Sequence, residues 1–187
     1  VKRFTTLFPG GFENADFLHR EVKPKHAASK FVREALPADG SGNWKTCKDD
    51  VIRAFQMTEL LHPIEKAKLK DMVLGPDGET YFDAVRQFHD GEYAKAGSRL
   101  TSRFKSTDIA NWRALTYLPF LWSPKQHMFL RPTFLREFAS AVGHRFTIDY
   151  RSDLDPAVYR SLLALLSETR TKLADEAGID NIVLQSF

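Results

Sequence analysis

A single cysteine, Cys47, is all the thiol this chain contains. One thiol excludes an internal disulfide and a cysteine-built zinc site. No apolar run approaches the roughly 18 residues that span a bilayer, so no membrane partner is expected. The N-terminal "VKRFTTLFPGGF" lacks the unbroken apolar stretch of a secretion signal, and the cytoplasm is the expected compartment. His19, His26, His62, His89, His127 and His144 never fall four apart on one helix with a glutamate between them, which removes the zinc-hydrolase signature. No Gly-x-Ser-x-Gly elbow occurs, and Cys47 has no histidine near it in sequence; it reads as an inert, partly buried thiol. "GSGNWKT" (Gly40 to Thr46) glances at a phosphate-binding loop. It has Trp44 where a glycine must precede the lysine, and it follows a helix rather than a strand. No cofactor is expected.

What the chain does have is rings and helical periodicity. Its 187 residues fit one domain with a sizeable core, and 15 phenylalanines suggest that rings fill it. Apolar residues recur at helix spacing through Ala27–Leu36, Tyr81–Phe88 and Tyr93–Phe104. Asp49 to Leu61 reads as a helix ended by His62-Pro63, and Pro63 opens the next one through Leu74. Phe134 to Val142 is a short helix with Thr133 as its cap, stopping at Gly143. Pro156 to Ala177 is a long helix capped by Asp155 and ended by Gly178. "PADGSGNW" (Pro37 to Trp44) and "LGPDGE" (Leu74 to Glu79) are loops.

Extended structure is scarcer. Phe146, Ile148 and Tyr150 alternate with polar neighbours, which fits a half-buried strand, and "NIVLQSF" and "RFTTLF" are weaker strand candidates. The expected fold is a mainly α domain, at the margin of α+β, with about seven helices and a small β-sheet. It is read as a single domain over residues 1–187, with a loop break at 37–44. Phe31, Phe55, Phe82, Phe88, Leu118, Phe120, Phe134, Phe138, Leu162, Leu163 and Leu166 are the expected core.

Charge is uneven along the chain. Gly91 to Arg151 carries 10 basic and 4 acidic residues, a balance of +6, against +3 for the whole chain. That third contains "TYLPFLWSPKQHMFLRPTFLREFA" (Thr116 to Ala139). Pro119 and Pro124 exclude one regular helix through its first part, and "SPK" is a turn. Tyr117, Leu118, Phe120, Leu121 and Trp122 are too apolar to share a surface and belong to the core. Arg113, Lys125, His127, Arg131 and Arg136 remain as polar groups on a ring-rich scaffold. Guanidinium groups beside rings suit phosphates and stacked bases, so these five are the candidate contacts of a non-catalytic module that binds DNA, RNA or another polyanion. The structural alternative is that the rings are core, the arginine stems cover it, and His127 bonds a backbone carbonyl.

Two other classes stay open. A divalent-metal-dependent hydrolase or nuclease would use Asp149, Asp180 and a nearby histidine, although "DNIVLQSF" offers Gln185 and Ser186 where an acid and a lysine are wanted. A protein–protein or homo-oligomeric component would add the apolar C-terminal segment as a strand to a partner.

The run "LPFLWSPKQHMFLRPTF", then Gly143, Phe146 and Tyr150, then the Tyr159–Leu166 helix and the closing "IDNIVLQSF", resembles the C-terminal half of a group of uncharacterised bacterial proteins. In that group "Q…H-x-FLKP" is followed by a Gly-aromatic strand and a closing "ID-x-QSF". Arg131 stands where those proteins usually carry lysine, which keeps the positive charge. "FPGGF" and "ELLHPIEKAKLKD" are similar to their N-terminal half. The resemblance implies no activity. It does imply that the pattern runs on past "QSF" with more apolar residues, so Phe187 is not expected to be the end of the folded unit.

Overall fold

The computed structural model describes residues 2–39, 43–104, 107–173 and 179–186. In chain order the helices are α1 (Lys2–Leu7), α2 (Ala15–Phe17), α3 (Lys23–Ala35), α4 (Trp44–Gln56), α5 (Pro63–Leu74), α6 (Gly78–His89), α7 (Tyr93–Arg103), α8 (Trp112–Trp122), α9 (Pro132–Val142), α10 (Phe146–Asp149), α11 (Pro156–Lys172) and α12 (Asn181–Ser186). A π-helical stretch, Leu18–Val22, joins α2 to α3.

The fold is all-α: the described residues contain no strand, and the expected small sheet is absent. Each strand candidate is a helix, for a visible reason. In Phe146–Tyr150 the alternation is too short to outweigh contacts between residues four apart. Phe146 packs on Tyr150 with ring centroids 6.0 Å apart, and the Arg145 Nε bonds the Asp149 carboxylate at 2.7 Å. Ile148, which a strand would have buried, is 86% exposed. In "NIVLQS" the buried residues are Asn181, Ile182, Leu184 and Gln185, a helical spacing, and the Asp180 carboxylate accepts from the Ile182 and Val183 N–H groups as an N-cap. In α1, Phe4 meets Phe8 one turn on, at 5.4 Å.

The centre of the molecule is α8. Every residue from Ala114 to Trp122 is buried, which is why this helix is apolar all round. It packs on α3 and α6, while α6 and α7 form the tightest hairpin of the fold. Pro119 lies inside α8, against the expectation that it breaks the helix. A helical proline costs about 3 kcal/mol; here burial on every side outweighs it, and the Pro119 carbonyl still accepts from the Ser123 N–H at 3.0 Å. The ring tips pin the neighbouring chain. Trp122 Nε1 donates to the Leu36 carbonyl at 2.6 Å, Tyr81 Oη to that of Ala114 at 3.0 Å, and Tyr117 Oη to that of Ala54 at 2.7 Å.

One connected cluster of buried side chains runs from Phe4 to Leu184. Phe55, Phe82, Phe88, Leu118, Phe120, Leu162 and Leu166 lie in it as expected; Phe31, Phe138 and Leu163 pack on its edge, and Phe134 is exposed. The helices flanking the 37–44 loop, α3 and α4, pack directly on each other; residues 40–42 of that loop lie outside the described residues. So do 174–178, where the long helix was expected to end at Gly178; α11 closes at Lys172. No helix among the described residues is long and apolar enough to cross a membrane.

Candidate polyanion-binding face

The five candidate contacts divide by their positions on α8 and α9. Arg113 is the second residue of α8, whereas Lys125 lies three residues past its end. An 11-residue helix is about 16 Å long, so these two charges sit at opposite ends of it. Arg131 and Lys125 are exposed. Arg131 starts α9 near Lys25, whose pKa is held below the usual lysine range mainly by burial and further by the Arg131 charge, against the pull of Glu21.

His127 is 2% exposed and offers no ligand a free face. Its Nε2–H donates to the His89 carbonyl at 3.0 Å, as the structural alternative anticipated, and its ring packs against Phe88, His89 and Tyr159. Burial, and then the neighbouring His89, push its pKa down to about 4.

Arg136 packs on Tyr150, and the Arg113 charge reaches the same residue. The Arg136 guanidinium sits over the Tyr150 ring at 5.5 Å from its centroid. Both arginines act on the Tyr150 hydroxyl, opposing the burial that raises its pKa. The arrangement follows from the sequence next to each residue. Trp112 Nε1 donates to the Arg151 carbonyl at 3.0 Å, which holds the Tyr150–Arg151 link against the start of α8, where Arg113 follows. Gly143 ends α9, and α10 then packs against it. Arg113 also pairs with Glu65 at 2.8 Å across a cleft of about 620 Å³ between α5 and residues 107–114. The floor of that cleft is apolar, with Leu61, Leu69 and Ala114 buried.

Tyr150, Arg145 and Arg151 escaped the sequence reading because they were assigned to two faces of a strand. The signal that would have found them is the pair of four-residue spacings, Arg145/Asp149 and Phe146/Tyr150.

The nuclease candidates do not meet. Asp149 accepts from Arg145 and from Ser161 Oγ at 2.7 Å, and these bonds, Arg145 first, hold its pKa down. Asp180 caps α12 and lies 3.7 Å from His26. Among the described residues no group of three or more His, Cys, Asp or Glu side chains could hold a metal ion. The "NIVLQS" segment is committed to its own core as α12, tied at its end by Lys25 Nζ to Ser186 Oγ at 3.0 Å; it is not a strand awaiting a partner.

A Ser-His-Asp chain that the sequence did not suggest is present. His89 Nε2 lies 2.9 Å from Ser123 Oγ, and its Nδ1 lies 3.2 Å from Asp90 Oδ1. It lacks the rest of a nucleophilic site. The residue after Ser123 is Pro124, which has no N–H for an oxyanion, and the Gln126 and His127 N–H groups already bond the Ser123 carbonyl. Ser123 also stands at the C-terminal end of α8, where the helix dipole opposes negative charge. The chain is a latch between the ends of α6 and α8. Ser123→Ala is expected to lower stability by about 1 kcal/mol, measured by urea unfolding. A burst of product from p-nitrophenyl acetate that disappears in this variant would contradict the latch.

Comparisons with protein-family models, with curated proteins and with solved structures find no match.

Proposed function

We propose that this protein is a non-catalytic module that binds nucleic acid through the face centred on Tyr150. The observation that carries the reading is the Arg136 guanidinium over a half-buried tyrosine ring, with Arg151 next in the chain and the Arg113 charge acting on the same hydroxyl. This pairing supplies what a polymer of bases and phosphates requires: a π surface for a base, worth roughly 1–3 kcal/mol when stacked, and planar cations for the backbone. The +6 balance of Gly91–Arg151 supports it by raising the local concentration of a polyanion. Lys125 and Arg131, both exposed, contribute to that field, and His127 drops out of the contact set.

The test compares Arg136→Glu with Lys125→Glu by fluorescence anisotropy on a labelled single-stranded oligonucleotide. Arg136→Glu is expected to weaken binding about tenfold and to reduce the salt slope by about one phosphate contact. Lys125→Glu, at the far end of α8, is expected to change affinity less than about threefold. Equal losses in the two variants would show that diffuse charge, not this face, does the binding.

A further inference from the structure

Next to Tyr150 lies a groove that none of the five candidate residues enters. Its floor is one stripe of α11, Ala157, Ser161 and Ala164, spaced i, i+4 and i+7 and short enough to leave a trough along the helix. Arg145 and Arg151 line it from either side of α10, and Arg160 from α11 itself. The trough encloses about 440 Å³.

Its charge is unbalanced. Three guanidinium groups face one carboxylate, Asp149, a difference of +2. Asp149 is already occupied: Arg145 donates to its two oxygens at 2.7 and 3.2 Å, and Ser161 Oγ donates at 2.7 Å. It thus orients Arg145 without neutralising the other two. Among the described residues the Arg151 guanidinium has one carboxylate within 4.0 Å, Asp155 at 3.9 Å, and Arg160 has none. Two cations without a close counter-charge over a floor of small side chains give an oxyanion both room and donors. A guanidinium fork matches two oxygens of a phosphate at once.

We infer that this groove is a phosphate subsite which holds the backbone of a strand whose base stacks at Tyr150. The inference rests on the Tyr150 reading. It adds a direction, since Tyr150 and Arg151 are consecutive and the strand passes from the ring over α10 into the trough of α11. The guanidinium groups of Arg160 and Arg151 take the phosphate oxygens, while Arg145 stays bound to Asp149.

The experiment uses the double variant Arg151→Glu/Arg160→Glu. Both side chains are exposed, and among the described residues the 3.9 Å ion pair is the only hydrogen bond or ion pair of either side chain, so circular dichroism and the melting temperature are expected to match the parent. Affinity for a labelled single-stranded oligonucleotide is expected to fall at least tenfold. The slope of log affinity against log salt should become shallower by roughly 1.4, two contacts at about 0.7 each. Parent-like affinity and slope in the double variant would overturn the groove and leave the Tyr150 reading standing. If the parent binds no oligonucleotide at low salt, the Tyr150 reading falls. Calorimetric titration with inorganic pyrophosphate then decides the groove separately: binding that disappears in the double variant keeps it as a phosphate site for a small ligand, and no binding to the parent overturns it.

Discussion

Gly78→Ala is expected to destabilise the protein by about 2–3 kcal/mol, the range for overpacking a filled site. Gly78 opens α6, and a Cβ there would come closer than 3.0 Å both to the Val73 carbonyl oxygen of α5 and to the Trp44 ring of α4. One of these atoms is backbone near the end of a helix and cannot swing away. The other belongs to an indole already packed against Phe82 at 5.4 Å. The substitution thus forces three helices apart at their meeting point, and the better helix propensity of alanine, worth about 1 kcal/mol, does not make up for it. Thermal unfolding followed by circular dichroism should show a fall of roughly 5–10 °C for a domain of this size. Gly91→Ala is the comparison. Its φ of 86° makes a side chain unfavourable, yet a Cβ would meet nothing within 4 Å, so only about 1 kcal/mol of backbone strain is expected. If the two variants lose the same stability, α4, α5 and α6 are not clamped at Gly78.

Acid is the second large perturbation. His127 is buried neutral and its pKa is depressed to about 4, first by desolvation and then by His89, against the pull of its bond to the His89 carbonyl and of the Asp90 charge. In the unfolded chain the same group titrates near 6.5. Between these values the unfolded state binds the extra proton, so the stability that His127 contributes is complete above about pH 6.5 and is lost as pH falls towards 4. The loss amounts to roughly 3 kcal/mol. Protonation would place a new N–H at Nδ1, facing Tyr159 Oη at 3.5 Å, while that hydroxyl already donates to the Met128 carbonyl at 3.2 Å. His127→Gln keeps a donor for the His89 carbonyl and cannot titrate. Urea unfolding from pH 7 to 4 should show the parent losing stability more steeply than the variant by about this amount. Parallel curves would mean that His127 is not the group responsible.

How much of this was legible in the sequence depended on the range of the interactions involved. Pro63, Gly143 and Asp155 marked helix ends correctly because capping is local: His62 and Asp155 side chains accept from backbone N–H groups two residues on, and Gly143 takes φ 70°. Pro119 misled because its local cost was outweighed by burial that only the packing of α3 and α6 around α8 reveals. The sheet was expected from a seven-residue alternation that a four-residue helix satisfies just as well, and Ile148, left exposed, was its one false member. The candidate face was half legible. Arg113 and Arg136 were singled out for their charge and their ring-rich setting. Tyr150 joins them through its contact with Arg136, 14 residues away, and through the Trp112 bond to the Arg151 carbonyl, between residues 39 apart in the chain. Arg160, in an acidic stretch of sequence, carried no signal at all.

The most direct measurement of the central claim is fluorescence anisotropy of the parent protein with labelled single- and double-stranded DNA and RNA, from about 50 to 200 mM salt, with and without magnesium. The account predicts saturable, micromolar binding to single strands, a log–log salt slope of roughly −2 to −4, and a signal that is stable in magnesium. No saturable binding at the lowest salt, or binding indifferent to salt, would contradict it, and a signal that decays in magnesium would show cleavage instead of binding.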